Sequence, residues 1–442
     1  MIFLRLALSV IVAKLLIFAG KIMGTKSSSV PGRFALKICP DMISLLSKQI
    51  KKEIVVVCGT NGKTTTNNII YSLFKNKSNN VVCNNVGANM IDGVATAFAV
   101  SSNIFGKLTA DYACIEVDEL STLKVFKQLK PDFLVITNLF RDQLDRYGAI
   151  EITIDALKKA VDMLDDVSLV LNGDDPLVTS FGMQTGKKCI YFGVDEKVAE
   201  PLEEVKDGKF CRMCGKELRY DFYHYGHLGN YQCDHCSFKR PNINYGARNI
   251  DLSSGIDFAV KDTKISVNYR GFYNIYNTLA GYAIFDTLNL DTKTFEKMLS
   301  NYKPQIGRME TFDIGIETIL NLAKNPAGFN QAISTVLCDK RKKNVIIAVN
   351  DKASDGCDIS WLYDVDFEKL KDANVIRLSS SGIRHNDLCV RFKYADLGEF
   401  YDYEDIKEAI MSSIDNDAEV LYILVNYTML FSTQNFLRGI SK

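Results

Sequence analysis

Short runs of consecutive apolar residues, each closed by glycine, asparagine, aspartate or proline, recur along most of this chain. EIVVVC (53–58), DYACIEV (111–117), PDFLVITNL (131–139), SLVLNGDDP (168–176) and KKCIYFGV (187–194) are apolar without alternation, the pattern of strands buried on both faces of a sheet. A glycine turn and a helix over about Thr64 to Phe74 follow the first run, and strand and helix patterns keep alternating, which predicts a doubly wound α/β domain. Between about Val205 and Tyr245 the apolar period disappears in favour of cysteine, tyrosine, histidine and lysine, so this stretch reads as an insertion. A helix over Asn274 to Leu288 resumes the pattern. KKNVIIAVN, ANVIRLSS and AEVLYILVN then predict the strands of a separate, smaller parallel sheet. The expected organisation is an N-terminal helical segment (1–50), a central nucleotide-binding domain (51–311) carrying the insertion at about 205–245, and a C-terminal Rossmann-like α/β domain (312–442).

The first residues, MIFLRLALSVIVAKLLIFAGK, are interrupted by Arg5 and Lys14, leaving less than the ~20 uninterrupted apolar residues of a spanning helix. The polar residues Arg5, Ser9, Lys14 and Lys21 do not gather on one helical face. A helix packed on the protein or a partner, a membrane-surface contact, and a cleaved signal are the three readings this leaves open. Composition narrows the rest. The 53 lysines and arginines balance 53 aspartates and glutamates, which removes the electrostatic basis of nucleic-acid binding. Eight of the 12 cysteines are scattered singly, several inside apolar runs, the usage of a reducing, cytoplasmic compartment.

Chemistry concentrates in a few segments. VVVCGTNGKTTTNN sets Gly59, Thr60, Asn61, Gly62, Lys63, Thr64 and Thr65 at a strand-to-helix junction, where main-chain N–H groups and the helix dipole favour phosphate. Lys63 can reach terminal phosphates and Thr64 can ligate magnesium, so ATP and Mg2+ are the expected cofactors. Cys211 and Cys214 form one C-x2-C pair and Cys233 and Cys236 another, eighteen residues later. This spacing suits a ribbon in which four thiolates close the tetrahedral shell of a structural zinc. His224, His227 and His235 lie nearby, and a polar surface role is the expectation for them.

GTNGKTTT resembles the phosphate loop of the Mur ligase and folylpolyglutamate synthase superfamily, and other segments follow in that family's order. CIEVDELS is similar to the family's magnesium-binding strand and implies that Glu116 is a metal ligand and catalytic group. TNLFRDQLDRYG implies Asn138, Asp142 and Asp145 at the site. YNIYNTLAG implies adenine contact by Asn277, GRME implies Arg308 on the nucleotide, and NLAKNPAG implies Lys324 on the transferring phosphoryl group. Two departures stand out: Gln143 replaces a usual metal-binding histidine and Asn321 a usual ribose-binding aspartate. Only about fifty residues precede the phosphate loop, too few for the fold that grips a soluble UDP-linked precursor.

LAKNPAGFN and NDKASDGCDISWLYDVDFE, together with the four-cysteine insertion, resemble the amidating branch of the superfamily. That resemblance implies ATP-dependent amidation of the D-glutamate α-carboxylate of lipid II at the inner face of the cell membrane, with ammonia from a GatD-type glutaminase partner. No glutaminase nucleophile motif is recognisable in the chain. The resemblance further implies that Asp358, or alternatively Asp355, completes the partner's Cys-His-Asp triad, while helix capping is the plain reading of the same loop. The rival function is an amino-acid ligase of the Mur or folylpolyglutamate type.

Overall fold

The computed structural model describes residues 2–23, 28–84, 88–141, 150–198, 207–252, 255–267, 271–290, 292–301, 309–352, 354–372, 374–414 and 417–441. Its strands in chain order are Ile54–Cys58 (β1), Val81–Cys83 (β2), Tyr112–Glu116 (β3), Phe133–Ile136 (β4), Ser168–Asn172 (β5), Lys188–Val194 (β6), Arg219–Tyr225 (β7), Leu228–Gln232 (β8), Tyr245–Asp251 (β9), Ile256–Val260 (β10), Thr263–Val267 (β11), Glu310–Asp313 (β12), Glu317–Leu322 (β13), Lys343–Ala348 (β14), Val375–Ser381 (β15), Tyr401–Asp402 (β16) and Val420–Val425 (β17).

Nine strands form one sheet in the order β11-β10-β9-β6-β5-β4-β1-β3-β2. Pairing is parallel from β2 to β9 and antiparallel only at β9, β10 and β11. The apolar runs β1, β3 and β4 are buried at every position, as strands covered on both faces must be. Successive β1 side chains alternate between two cores. Ile54, Val56 and Cys58 pack with Val94 and Phe98 of the helix Ile91–Ser101, while Val55 and Val57 pack with Ile69 and Leu73 of the helix Lys63–Lys77. Because β1 sits between β3 and β4, the loops leaving all three strands meet at the sheet's carboxyl edge, where such folds bind ligands.

A second sheet, in the order β12-β13-β17-β14-β15-β16, is parallel except for β12. It has its own two cores, one on each face. The antiparallel hairpin β7–β8 carries the insertion, with a small core of Leu218, Tyr231 and Phe238 beside buried Cys211 and Cys233.

The N-terminal segment is helical. Residues Ile2–Ile22 form a continuous helix that by length and composition is apolar enough to cross a membrane. Arg5 and Lys14 lie within it, and each cation finds a main-chain carbonyl elsewhere on the protein: Arg5 Nε donates to Ile38 O (3.2 Å) and Lys14 Nζ to Val100 O (3.0 Å). One stripe of the helix, Leu6, Val10 and Ala13, is buried in the same core as Ala35 and Val94. Of the three readings, packing on the protein is the one seen.

Candidate active site

The turn after β1 requires glycine at two positions. Gly59 has φ +122° and Gly62 φ +83°, and a Cβ on either would collide, with Thr137 Oγ1 at 2.3 Å and with Asn277 Oδ1 at 2.1 Å respectively. The loop between them is held by the residues after β4. Thr60 N donates to Asn138 O (2.9 Å), Asn61 N to Asn138 Oδ1 (2.9 Å), and Asn138 Nδ2 to Asn61 O (3.0 Å). Thr60 Oγ1 donates to Phe140 O (3.1 Å) and accepts from Phe140 N (2.9 Å). Thr64 is half-buried and Thr65 buried in the first turn of the helix that Lys63 opens.

Lys63 is buried and folded back onto its own loop, donating to Gly59 O and Thr60 O, with Glu119 Oε2 at 3.3 Å. Burial alone would lower its pKa, but the carboxylates of Glu119 and Asp118 raise it well above the usual lysine value, so the cation is permanent. Glu116, at the end of β3, accepts from Asn89 Nδ2 (3.0 Å) through Oε1, and its main-chain N and O are clamped by Asn84. Its Oε2 is buried without a hydrogen-bond partner. Three carboxylates, Glu116, Asp118 and Glu119, thus face one ammonium group. An orphaned carboxylate oxygen in such surroundings suits a divalent cation.

Asn277 lies directly beneath the loop, accepting from Thr66 Oγ1 (3.3 Å) and donating to Asn274 Oδ1 (3.0 Å). Lys324 and Asn325 follow β13. Asn325 Nδ2 donates to Asn61 Oδ1 (3.2 Å), so the second sheet presents this segment to the phosphate loop. Asn321, on β13, is buried with Oδ1 unpartnered. Arg308, Asp142, Gln143 and Asp145 lie outside the described residues. Glu119, Asn84 and Asn89 were not anticipated. Glu119 is three residues beyond Glu116 in a loop, and only the turn after β3 brings it to Lys63.

Both aspartates of the loop after β14 are defined. Asp355 is buried and accepts from Thr428 N (2.9 Å) and Thr428 Oγ1. Asp358 is partly exposed, and the Ser360 N–H (2.8 Å), followed by the Ser360 hydroxyl, holds its carboxyl below the usual carboxylate range.

The four insertion thiols converge. All Sγ atoms lie within 4.8 Å of one another, with Cys211 to Cys236 at 3.6 Å and Cys214 to Cys233 at 3.5 Å. Sulfurs at Zn–S ≈ 2.3 Å on a tetrahedron stand about 3.8 Å apart, so the cluster fits that ion. His235 is exposed, but His224 and His227 are not surface residues as expected. His227 is fully buried with Nε2 3.1 Å from Asp175 Oδ1, and the half-buried His224 ring lies tilted by 37° against Phe272, centroids 4.8 Å apart. The hairpin tip drives both into the nucleotide domain.

The Mur ligase middle domain model matches residues 57–234, and the MurT ligase C-terminal model matches residues 322–430. The MurT subunit of the glutamine-hydrolysing lipid II isoglutaminyl synthase of Staphylococcus aureus (strain COL) is 34% identical over 95% of this chain and 94% of its own. The chain belongs to the MurT family of Mur-type ligases. The Streptococcus pneumoniae MurT subunit is 32% identical, over 93% of this chain and 92% of its own. Among solved structures, a pseudomurein peptide ligase type C from Methanothermus fervidus superposes with a TM-score of 0.68 at 22% identity, over 89% of this chain and 79% of that one. MurF from Acinetobacter baumannii gives 0.66 at 14% identity, over 92% and 80%. These two share this chain's fold of two α/β sheets; the four-cysteine cluster is a feature of this chain's own insertion, and the MurT family makes the chain an ATP-dependent ligase subunit.

Proposed function

We propose that this chain is the synthetase subunit of a lipid II isoglutaminyl synthase, amidating the D-glutamate α-carboxylate with ammonia supplied by a GatD-type glutaminase. The observation that carries this is the match to MurT subunits along nearly the whole chain, including the residues after β14, which lie within the matched MurT C-terminal region.

The reaction divides into activation and capture. The substrate carboxylate attacks the γ-phosphorus of ATP in line, giving an acyl phosphate and ADP, and ammonia then displaces phosphate from the acyl carbon. Lys63 is already cationic and needs only to swing from Gly59 O to the phosphates. The loop N–H groups between Gly59 and Thr65 would cradle them. Thr64 and Glu116 would hold Mg2+, which supplies charge neutralisation on the phosphates when bound. Lys324, next in the chain to Asn325, whose amide reaches Asn61, is the residue we assign to the transferring phosphoryl group from the other sheet, with Asn277 and Arg308 on the nucleotide. Cys211, Cys214, Cys233 and Cys236 would hold a structural Zn2+. Asp358 is the residue we assign to orienting the partner's catalytic histidine, because Asp355 is committed to Thr428.

ADP release from lipid II, ammonium, ATP and magnesium tests the proposal, with product mass as the second readout. An amidated stem is lighter by about one mass unit, and Lys63→Ala should abolish both ADP and the shift. Turnover with an amino acid but never with ammonia would make the chain an amino-acid ligase instead.

A further inference from the structure

The N-terminal helix is apolar on two faces, and only one is used. Its buried stripe is Leu6, Val10 and Ala13; the opposite stripe, Leu4, Leu8, Leu15, Phe18 and Ile22, is more than half exposed at every position. With Ile11, 38% exposed, between Leu8 and Leu15, these residues recur every three or four positions over about 27 Å of helix, a continuous ridge. An all-round apolar helix is expected in a core or in lipid, and this one is in a core on one side only. A patch of this kind marks an interaction surface.

Charge identifies the occupant. Although the chain as a whole is neutral, its first forty residues contain Arg5, Lys14, Lys21, Lys26, Arg33 and Lys37 and no aspartate or glutamate before Asp41. Arg33 is paired with Asp92 (3.0 Å), but an aliphatic and phenylalanine ridge set among the remaining cations matches an anionic lipid surface, where acyl chains take the ridge and headgroups the lysines. We infer that the exposed ridge of the helix Ile2–Ile22 docks the enzyme flat on an anionic membrane while the opposite stripe stays packed on the nucleotide domain. The Arg5 and Lys14 bonds to Ile38 and Val100 hold that stripe in place and argue against the helix leaving the protein to span the bilayer. This deepens the proposed function, since a lipid-linked substrate would then be met at the surface the enzyme rests on. The docking itself needs no turnover.

The test is flotation of the full-length chain with vesicles of phosphatidylcholine alone or with phosphatidylglycerol, at low and high salt. We expect capture by the anionic vesicles, weakened by salt, and a loss of at least about tenfold in Leu15→Glu/Phe18→Glu and several-fold in Lys21→Glu/Lys37→Glu. ADP affinity of both variants, unchanged from the parent, would show that the nucleotide domain is folded. Equal binding by variants and parent, or no binding by the parent, overturns the inference. Protein that resists alkaline extraction would make the helix a membrane span, and a dimer dispersed by Leu15→Glu/Phe18→Glu without vesicle binding would make the ridge a contact between copies. Either outcome overturns docking and leaves the ligase assay untouched, just as failure of that assay leaves the vesicle result untouched.

Discussion

At the scale of single residues, the loop after β14 separates two aspartates that sequence spacing cannot rank. Asp355 is buried and satisfied by Thr428, whereas Asp358 spends one oxygen on the Ser360 N–H and remains accessible. Asp358→Asn should therefore cut glutamine-dependent amidation by the partner-bound enzyme by roughly a hundredfold or more, while ammonium-dependent amidation stays within about twofold. Asp355→Asn should act differently, costing on the order of 2 kcal/mol of stability through its weakened bonds to Thr428, read by denaturant unfolding. Equal losses with both nitrogen sources in Asp358→Asn would remove it from the triad.

Among elements, the inserted hairpin is tied to the nucleotide site by its tip. Gly226 packs against the Phe140 ring, His227 meets both that ring and Asp175, and Phe140 in turn brackets the Thr60 hydroxyl. The neighbouring His224 is held neutral: burial, then the nearby Arg240 cation, pushes its pKa down to about 3. Its unfolded value is higher, so between that value and about pH 3 the unfolded chain binds the extra proton. Stability is lost as pH falls through this window, by at most about 1.4 kcal/mol per pH unit from this one group. His224→Phe should flatten that slope relative to the parent in unfolding measured at pH 7 and pH 5. An unchanged slope would mean that the imidazole is not the group being protonated.

For the whole molecule, the two sheets meet where Asn325 touches Asn61. Asn325 also caps the helix Pro326–Cys338, its Oδ1 accepting from Gly328 N (2.8 Å). Alanine there would confuse the two roles. Asn325→Ser retains a good N-cap and is too short to reach the phosphate loop. It should leave thermal stability within about 1 kcal/mol and yet lower ATP affinity and kcat several-fold, as expected if docking of the second sheet completes the site. Unchanged kinetics would show that the contact does not contribute to closure.

The sequence by itself determined the parts whose chemistry is local. Apolar runs without alternation gave the buried parallel strands, glycine spacing gave the phosphate loop, and two C-x2-C pairs gave the thiol cluster, since each depends on residues a few positions apart. Tertiary structure alone decided which of the three carboxylates pairs directly with Lys63, because Glu116 and Glu119 are separated by a turn after β3 that no local pattern encodes. It also buried His227 and half-buried His224, through a hairpin whose tip enters another element's core. The same holds for the N-terminal helix, whose composition is apolar all round. Only its packing against the helices Val30–Ile38 and Ile91–Ser101 assigns one stripe to the core and leaves the other exposed, because burial is a property of the surfaces that meet.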